Sequence, residues 1–406
     1  MRLIVTTPFL ETRGGMERVV LKIAQRFDAK IHCVYYDPQN TFEEFSKLDI
    51  ETAKPTALST LPFGRRVASA IDVGYHFYNA KLEDYDLINA HQTPSEWIRN
   101  KNSPVLWYCH TPNREAFDLY EWRMKRRNPF SKAVFWTSIQ GFKFFESRAV
   151  PKIEYIFTNS RNSQDRITKY LHRSSEVLHP GVDADRFKCK SYEQFFFYPS
   201  RIAPEKELEY AIEAFKIFFS RKKSTGESGT KNWKLIISGS LSKRPEHQAY
   251  LKKLQSMADE TIEIRTNISD DELLDLYARC YAVLYTPVNE DYGLVPVEAL
   301  ASSKPCIARN EGGPRETIID GRDGFLINSI WEMAGRMESL SKDPERCASM
   351  GKEGRSKIER EFTWEIFLKR FEQKAQDLIF KDSPRGALRE SKAPLCPSPP
   401  KPPARL

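Results

Sequence analysis

The stretch YTPVNEDYGLVPVEALA, residues 285–301, contains the end of an apolar strand, a polar loop and an apolar helix in direct succession. Pro296 has no backbone N–H and fits a helix only in its first turn, so this helix must begin near Gly293 or Leu294. The N–H groups of Gly293, Leu294 and Val295 are then free at the positive end of the helix dipole. Such a helix start predicts a phosphate-binding site.

Two carboxylates lie on either side of this helix start. Glu290 is in the loop beside the predicted phosphate, and Glu298 is just over one turn inside the helix. The spacing lets the two acids contact different ends of one extended ligand. On spacing alone, an equally good interpretation is a solvated acid in a loop and another on a helix face.

Outward from this stretch, short apolar strands alternate with amphipathic helices along the chain, a pattern typical of parallel α/β layers. A break at His179–Asp183 separates two such runs. The predicted strands of the first run are Leu3–Thr6, Lys30–Tyr35, Leu87–Ala90, Val105–Cys109 and Tyr155–Thr158, and those of the second are Phe195–Tyr198, Lys234–Ser238, Thr261–Arg265, Ala282–Tyr285, Pro305–Ala308 and Gly324–Ile327. We therefore predict two doubly wound domains that face each other across a cleft, with ligands at the carboxyl ends of the strands.

The chain has 406 residues, more than a single core usually supports. We predict domains over residues 1–185 and 186–363, followed by a helix over 364–380 and a tail over 381–406. The tail has six Lys or Arg, two acids and seven prolines. This composition cannot build a core, and it favours disorder.

Two cations follow the first strand of the second run, in the segment PSRIAPEKEL, residues 199–208. Arg201 and Lys206 flank a proline-containing turn that opens a helix. A diphosphate needs cations if no metal neutralises it, and Arg offers a planar fork where Lys offers a point charge. The alternative is that both are ordinary surface charges.

Two loops of the first run also follow strands. In ETRGGME, residues 11–17, two glycines before a helix allow close approach of the backbone to a ligand, and Gly15 is the candidate contact. In WYCHTPNR, residues 107–114, His110 follows a strand at the cleft, where it can hydrogen-bond a sugar hydroxyl or stabilise developing charge. His91 is similarly placed, although either histidine could be purely structural.

These motifs, in this order, resemble the family-4 group of retaining glycosyltransferases, whose hallmark Glu-x7-Glu matches Glu290 and Glu298. The resemblance extends over roughly residues 1–370. It implies a GT-B fold, in which two Rossmann-like domains face a central cleft and a C-terminal helix crosses back to the first domain. Residues 1–185 would then form the acceptor side, and residues 186–363 would bind the nucleotide sugar.

The resemblance also implies roles for individual residues. Glu290 would contact the hydroxyls of the donor sugar, Glu298 the ribose, and Arg201 and Lys206 the diphosphate. The implied catalytic residues are Glu290, His110, Arg201 and Lys206, and the implied donor-binding residues are Gly15, Arg201, Lys206, Thr266, Asn267, Gly293, Leu294, Val295 and Glu298. Two positions depart from the family pattern: Glu207 stands where many relatives have glycine, which puts the local turn in doubt, and Arg315 stands in the Gly-Gly-x-x-Glu turn of residues 312–316.

The family's front-face mechanism implies that a phosphate oxygen of the donor takes the proton of the acceptor, with no metal and no cofactor. Residues 107–120 look most like the mannosyltransferase branch, which favours GDP-mannose, with a UDP-hexose as the alternative. The implied acceptor is a glycan or a polyprenyl-lipid-linked glycan. A nucleotide-sugar epimerase or a non-catalytic glycan-binding subunit on the same scaffold are the competing hypotheses.

A basic and aromatic segment lies at residues 122–152, with eight Lys or Arg and one acid, Glu146. This composition suits a helix on an anionic membrane surface, and nucleic-acid binding would draw on the same residues. An equally good interpretation is that the aromatics belong to the core and the cations to a solvated face. We favour the membrane and expect no nucleic acid, because acceptors of the family are often lipid-linked.

The seven cysteines are scattered and form no CxxC pair, which favours reduced thiols in a cytoplasmic protein and no structural zinc site. With residues 122–152, this predicts a cytoplasmic protein that can bind peripherally to the cytoplasmic face of a membrane.

Overall fold

The computed structural model of the protein describes residues 1–53, 65–226 and 232–382. The predicted disorder of the tail concerns residues that, from 383 onward, lie outside the described part of the chain.

The first domain is built on a seven-stranded parallel sheet with the order β3-β2-β1-β4-β5-β6-β7. Its strands are β1 (Leu3–Leu10), β2 (Lys30–Tyr36), β3 (Ile50–Thr52), β4 (Leu87–His91), β5 (Val105–Cys109), β6 (Tyr155–Thr158) and β7 (Glu176–Val177). Its helices are α1 (Gly15–Phe27), α2 (Arg65–Asn79), α3 (Tyr120–Lys125), α4 (Pro129–Ala149) and α5 (Arg161–Arg166). The central strands β4 and β5 are buried along their whole length. The sequence of β5 is a continuous apolar run, as such burial requires, whereas β4 also buries Asn89 and His91.

The second domain is built on a six-stranded parallel sheet with the order β10-β9-β8-β11-β12-β13. Its strands are β8 (Phe195–Pro199), β9 (Lys234–Gly239), β10 (Ile262–Thr266), β11 (Ala282–Tyr285), β12 (Cys306–Arg309) and β13 (Gly324–Ile327). Its helices are α6 (Leu208–Ser224), α7 (Pro245–Met257), α8 (Asp270–Arg279), α9 (Leu294–Ala301), α10 (Pro314–Thr317), α11 (Ile330–Lys342) and α12 (Pro344–Glu361).

Every predicted strand is present, with ends that differ by a few residues. The two strands that the sequence did not reveal are β3 and β7, which are short edge strands without an apolar run. The predicted domain boundary at residues 185 and 186 lies in the connection between the two sheets, and its exact position stays a prediction.

The last helix, α13 (Trp364–Asp382), returns to the first domain, as predicted. Its residues Phe367, Phe371 and Ala375 are buried in the core that contains β1 and α1. The crossing is tight, because a Cβ on Gly181 would lie 2.4 Å from the backbone nitrogen of Trp364. Only glycine fits where the two chain segments cross.

Candidate active site

The helix start predicted from Pro296 is present, since α9 begins at Leu294. Gly293 precedes it with φ 80°, a backbone angle that favours glycine, and a Cβ there would make a tight contact of 3.1 Å with the ring of Tyr285. Within the described chain, the N–H groups of residues 293–295 donate no hydrogen bond. They form an available anion-binding end beside the cleft.

Glu290 and Lys206 form a direct ion pair on the second domain's side of the cleft. The ammonium of Lys206 donates to Oε2 of Glu290 at 2.7 Å, with the two side chains 12% and 27% exposed. The backbone of Lys206 is held in turn, because its carbonyl accepts from the hydroxyls of Tyr198 at 2.8 Å and Thr286 at 3.2 Å. The structure therefore brings together two of the predicted site residues that are 84 positions apart in the chain.

Arg201 stands less constrained beside them. Its side chain is 61% exposed, and its contact is a loose ion pair of 3.6 Å with Glu205. An exposed pair of this kind contributes little stability, so the guanidinium is available to an incoming anion.

Glu298 lies in a different environment. It is half-buried in the wall of a crevice between the domains, accepts from the hydroxyl of Tyr277 at 2.7 Å, and shares that wall with Arg18 of α1. Burial raises the pKa of Glu298, while the Tyr277 hydrogen bond and the charge of Arg18 oppose that shift. The crevice encloses about 480 Å³, part of it open to solvent, and is otherwise lined by Gly181, Val182, Asp183, Arg186, Phe187, Asp270, Leu273, Leu274 and Leu294.

Thr266 and Asn267, two of the implied donor-binding residues, are exposed at the end of β10 and do not line that crevice. Asn267 has φ 55°, and its side-chain oxygen accepts from the N–H of Leu241 at 3.0 Å. Its side chain therefore holds the neighbouring loop in place. The structure does not bring Thr266 and Asn267 into one site with Glu298.

Gly15 brings the first domain against the start of α9. A Cβ on Gly15 would lie 2.7 Å from Cδ1 of Leu294. The glycine loop therefore approaches the predicted phosphate site as closely as the side chain of Leu294 allows.

His110 lies at the carboxyl end of β5, only 8% exposed, and pairs with a second histidine. Its Nε2 is 3.2 Å from Nδ1 of His91, whose Nε2 is 2.6 Å from Oδ1 of Asn89. Burial lowers the pKa of His110 to about 3, and burial together with His110 lowers that of His91 well below its usual value. Both rings are therefore neutral near neutral pH.

A set of contacts between the domains holds the loop that carries Glu290. Asn162 of α5 donates to the carbonyl of Glu290 at 3.0 Å, and the Arg166 guanidinium binds the carbonyl of Asn289 at 3.1 Å and the carboxylate of Asp291. Burial raises the pKa of Asp291, and the charge of Arg166 opposes that shift. The loop geometry thus depends on the first domain as well as the second.

The Gly-Gly-x-x-Glu turn takes part in the same contacts. The N–H of Gly313 donates to the carbonyl of Glu290 at 3.0 Å, and a Cβ on Gly312 would lie 2.3 Å from that same oxygen. Glu316 accepts from the backbone N–H of Arg161 at 2.8 Å, at the start of α5. The turn supports the Glu290 loop on one side and the first domain on the other.

Sequence reasoning missed Asn89, Tyr277, Asn162 and Arg166. The role of each depends on a partner that is distant in sequence. The available signal was the polar Asn89 inside a mainly apolar strand, whereas Asn162 and Arg166 lie in a helix of polar residues only, RNSQDR, where nothing distinguishes them.

The predicted membrane segment, residues 122–152, forms α3, α4 and a short turn. Phe130, Trp136 and Phe144 are 79%, 52% and 50% exposed. Guanidinium groups lie over several of the aromatic rings, as Arg126 does over Trp122 at 3.5 Å and Arg148 over Phe144 at 3.4 Å. The one acid of the segment, Glu146, is buried against Trp97.

Over residues 1–53, 65–226 and 232–382, every helix is either too short or too polar to span a bilayer. In the same part of the chain, no three His, Cys, Asp or Glu side chains are grouped so that they could hold a metal ion.

Comparison with known proteins agrees with this architecture. Among solved structures, the sucrose-phosphate synthase of Thermosynechococcus elongatus superposes with a TM-score of 0.72 at 16% identity, covering 93% of this chain and 98% of that one. Anabaena HepE in complex with UDP and glucose gives a TM-score of 0.70 at 17% identity, with 93% and 100% covered. The fold is therefore GT-B.

Sequence comparison extends the relationship. The chain is 26% identical to the alpha-1,3/1,6-mannosyltransferase ALG2 of Mus musculus, covering 90% of this chain and 94% of that protein. The human ALG2 is also 26% identical, with 87% and 91% covered. Residues 13–186 match the family described as Glycosyltransferase Family 4, and residues 183–357 match that described as Glycosyl transferases group 1. With these two matches following each other along both domains, the chain belongs to the group 1, family 4 glycosyltransferases and is a glycosyltransferase enzyme.

Proposed function

We propose that this enzyme transfers mannose, with retention of configuration, from GDP-mannose to a lipid-linked glycan at a membrane surface. The observation that carries the proposal is the Lys206–Glu290 pair of 2.7 Å beside the free helix start at Gly293. The choice of mannose rests on the similarity to mannosyltransferases over most of the chain.

The residues divide the work of the transfer by charge. The N–H groups of residues 293–295, Lys206 and the exposed Arg201 stabilise the departing diphosphate, since each is a positive group beside the site where negative charge develops. Glu290 accepts hydrogen bonds from hydroxyls of the sugar, and Glu298 binds the ribose in the crevice. Gly15 closes the site against the start of α9, and a phosphate oxygen of the donor takes the acceptor proton.

This arrangement supplies its own cations, and we propose that it works without a metal. Arg201, Lys206 and the start of α9 together offset the charge that a magnesium ion neutralises in other phosphoryl sites. Transfer in EDTA should equal transfer in added magnesium. Loss of activity in EDTA with recovery on adding magnesium or manganese would contradict this part of the proposal.

The donor is tested by a panel of GDP-mannose, UDP-glucose and UDP-N-acetylglucosamine, incubated with lipid-linked glycan and followed by nucleotide release and by mass spectrometry of the product. We expect a gain of one mannose and release of GDP. Release of UDP instead would establish the alternative, a UDP-hexose transferase. No release with any donor, together with retained glycan binding, would favour a non-catalytic subunit.

We also propose that residues 122–152 place the enzyme on the membrane that holds the acceptor. The exposed face of α4 combines Phe130, Trp136 and Phe144 with basic side chains, as binding at an anionic interface requires. The double variant Phe130→Ser, Trp136→Ser should lose flotation with vesicles of phosphatidylcholine and phosphatidylserine. It should keep full activity on an acceptor with a short soluble tail, and loss on both acceptors would count against a membrane role.

A further inference from the structure

The polar chain Asn89–His91–His110 runs from the middle of the first sheet to the cleft. All three side chains belong to β4 or to the end of β5. Asn89 and His91 are fully buried. His91 stacks on the ring of Tyr108 at 5.5 Å, which fixes its plane. A buried polar chain of this kind has few ways to satisfy its donors and acceptors.

The direction of the hydrogen bonds follows from Asn89. Its Nδ2 donates to the carbonyl of Leu106 at 3.1 Å, which turns Oδ1 toward His91. An amide oxygen only accepts, so Nε2 of His91 must carry the proton in the 2.6 Å contact. His91 is neutral, and its Nδ1 is therefore an acceptor.

His110 completes the sequence. Its Nε2 faces that acceptor at 3.2 Å and must donate. In a neutral ring the remaining nitrogen, Nδ1, then has a lone pair and no proton. Within the described chain no hydrogen bond involves Nδ1 of His110, so it is the one ring atom left for a ligand.

We propose that Asn89 and His91 are positioning residues that hold His110 as the neutral tautomer protonated on Nε2, so that its Nδ1 accepts a hydrogen bond from a hydroxyl of the bound sugar. This inference rests on the proposed function for the identity of the ligand, while the tautomer itself belongs to the free enzyme. It also decides between the two roles open to His110, because a neutral ring that accepts cannot stabilise negative charge.

The first test compares two substitutions of His91. In His91→Asn the side-chain oxygen can take the place of Nδ1 and accept from His110, whereas His91→Leu offers no acceptor. We expect His91→Asn to stay within about threefold of wild-type kcat and His91→Leu to lose about tenfold, which corresponds to about one hydrogen bond. Equal activity of the two variants, with equal thermal unfolding, would overturn the proposal.

The second test inverts the tautomer with a side chain of the same shape, which also loses the hydrogen bond to the carbonyl of Leu106 at every pH. In Asn89→Asp the carboxylate favours a protonated His91, whose Nδ1–H would donate to Nε2 of His110 and move the His110 proton to Nδ1. The titratable groups against the His91 ring are His110 and Tyr108. We expect about tenfold lower kcat/KM at low pH, with recovery as pH rises and His91 loses its extra proton. A defect of the same size at every pH would contradict the proposal that Asn89 and His91 set the tautomer of His110.

The tautomer is read directly by NMR of the protein labelled with 15N in histidine, with the His110→Gln spectrum used for assignment. Wild-type enzyme without substrate should show His110 protonated on Nε2 only at pH 7, and Asn89→Asp should show the opposite pattern at low pH. Protonation of Nδ1 in the wild type would overturn the inference. If His110 shows the expected tautomer but the enzyme transfers no sugar, the proposed function would be overturned, while the role of Asn89 and His91 in setting the tautomer would hold.

Discussion

The two faces of the cleft differ in charge. The face of the second domain carries Arg201, Lys206 and Glu290, which are ionised and partly exposed. On the opposite side, the ends of β4 and β5 carry His91 and His110, which are buried and neutral, while the charged groups of the same domain, Arg18 and Arg166, contact the crevice and the Glu290 loop. The reacting part of a nucleotide sugar has the same division, with the anionic diphosphate on one side of the anomeric carbon and the uncharged sugar hydroxyls on the other.

The difference has a physical basis. Charges that must bind and release an anion need access to water, because full burial of an unpaired ion is costly. Neutral hydrogen-bonding groups gain from burial, since a low dielectric strengthens their bonds and fixes their geometry. Each face therefore suits the part of the donor that it is proposed to meet.

The largest test of this comparison removes a charge from the second domain's face. Glu290→Gln keeps the shape of the side chain and ends the ion pair with Lys206. We expect kcat to fall about 100-fold or more, in the range seen when a group that acts in the transition state is lost. The matched control is Glu205→Gln, whose carboxylate pairs loosely with Arg201 and is 55% exposed. Near wild-type turnover of Glu290→Gln, with unchanged thermal unfolding, would contradict the assignment.

A smaller effect should follow from loosening the contact between the faces. Arg166→Gln removes the guanidinium that binds Asn289 and Asp291, so the Glu290 loop loses its support from the first domain. We expect kcat to fall about tenfold, which corresponds to about 1.4 kcal/mol in the activation free energy, because Glu290 is then held less firmly. The change in the donor KM should be smaller. Without Arg166 the pKa of Asp291 rises further, so the defect should grow as pH falls.

Arg161→Gln is the control for this variant. It changes an exposed side chain of the same helix, α5, and leaves the backbone N–H that Glu316 accepts from. Equal loss of activity in the two variants would show that the helix matters as a whole and not through Arg166.

The second domain's face was the more predictable of the two from sequence. Pro296 determines where α9 starts, and glycine at 293 satisfies both the backbone angle and the space, so local rules were sufficient to place the free N–H groups. The strands followed in the same way from apolar runs. Edge strands β3 and β7 escaped because two or three residues leave no pattern.

The first domain's face depends on long-range contacts, which a single sequence does not display. Asn89 and His91 acquire their meaning from Leu106 and His110, which lie on the neighbouring strand. Arg166 and Glu316 likewise act across the cleft. The roles of Glu290, Glu298 and the other site residues stay predictions that the variants described here would test.

A third test concerns two buried carboxyl groups of the first domain, Glu96 and Glu146, and asks whether they too are uncharged. Glu96 is fully buried beside Glu146, and burial and that neighbour raise its pKa well above the usual value. Burial raises the pKa of Glu146 to about 7. A carboxyl with a raised folded-state pKa contributes stability below its unfolded value of 4.5, and that stability is lost as pH rises through the folded pKa.

Glu96→Gln should therefore stabilise the protein at pH 8, by about 1 kcal/mol as is usual when an unfavourably buried polar group is relieved, and should change little at pH 5. The measurement is thermal unfolding at the two pH values, with exposed Glu44→Gln as the control. Stabilisation that is equal at both pH values would mean that the carboxyl pair is not the cause.

The smallest effect concerns strain next to the charged face. Glu207, where relatives often have glycine, does adopt the left-handed conformation with φ 47°, and it forms an ion pair of 2.9 Å with Arg309. Glu207→Gly removes a backbone cost of about 1 kcal/mol and loses a partly exposed ion pair worth roughly half of that. Glu207→Ala loses the pair and keeps the strain. In denaturant titration, we expect the free energy of unfolding to be about 0.5 kcal/mol higher than wild type for the glycine variant and about 0.5 kcal/mol lower for the alanine variant. If alanine proved as stable as glycine, strain at this turn would be absent, and Glu207 would be present for its charge alone.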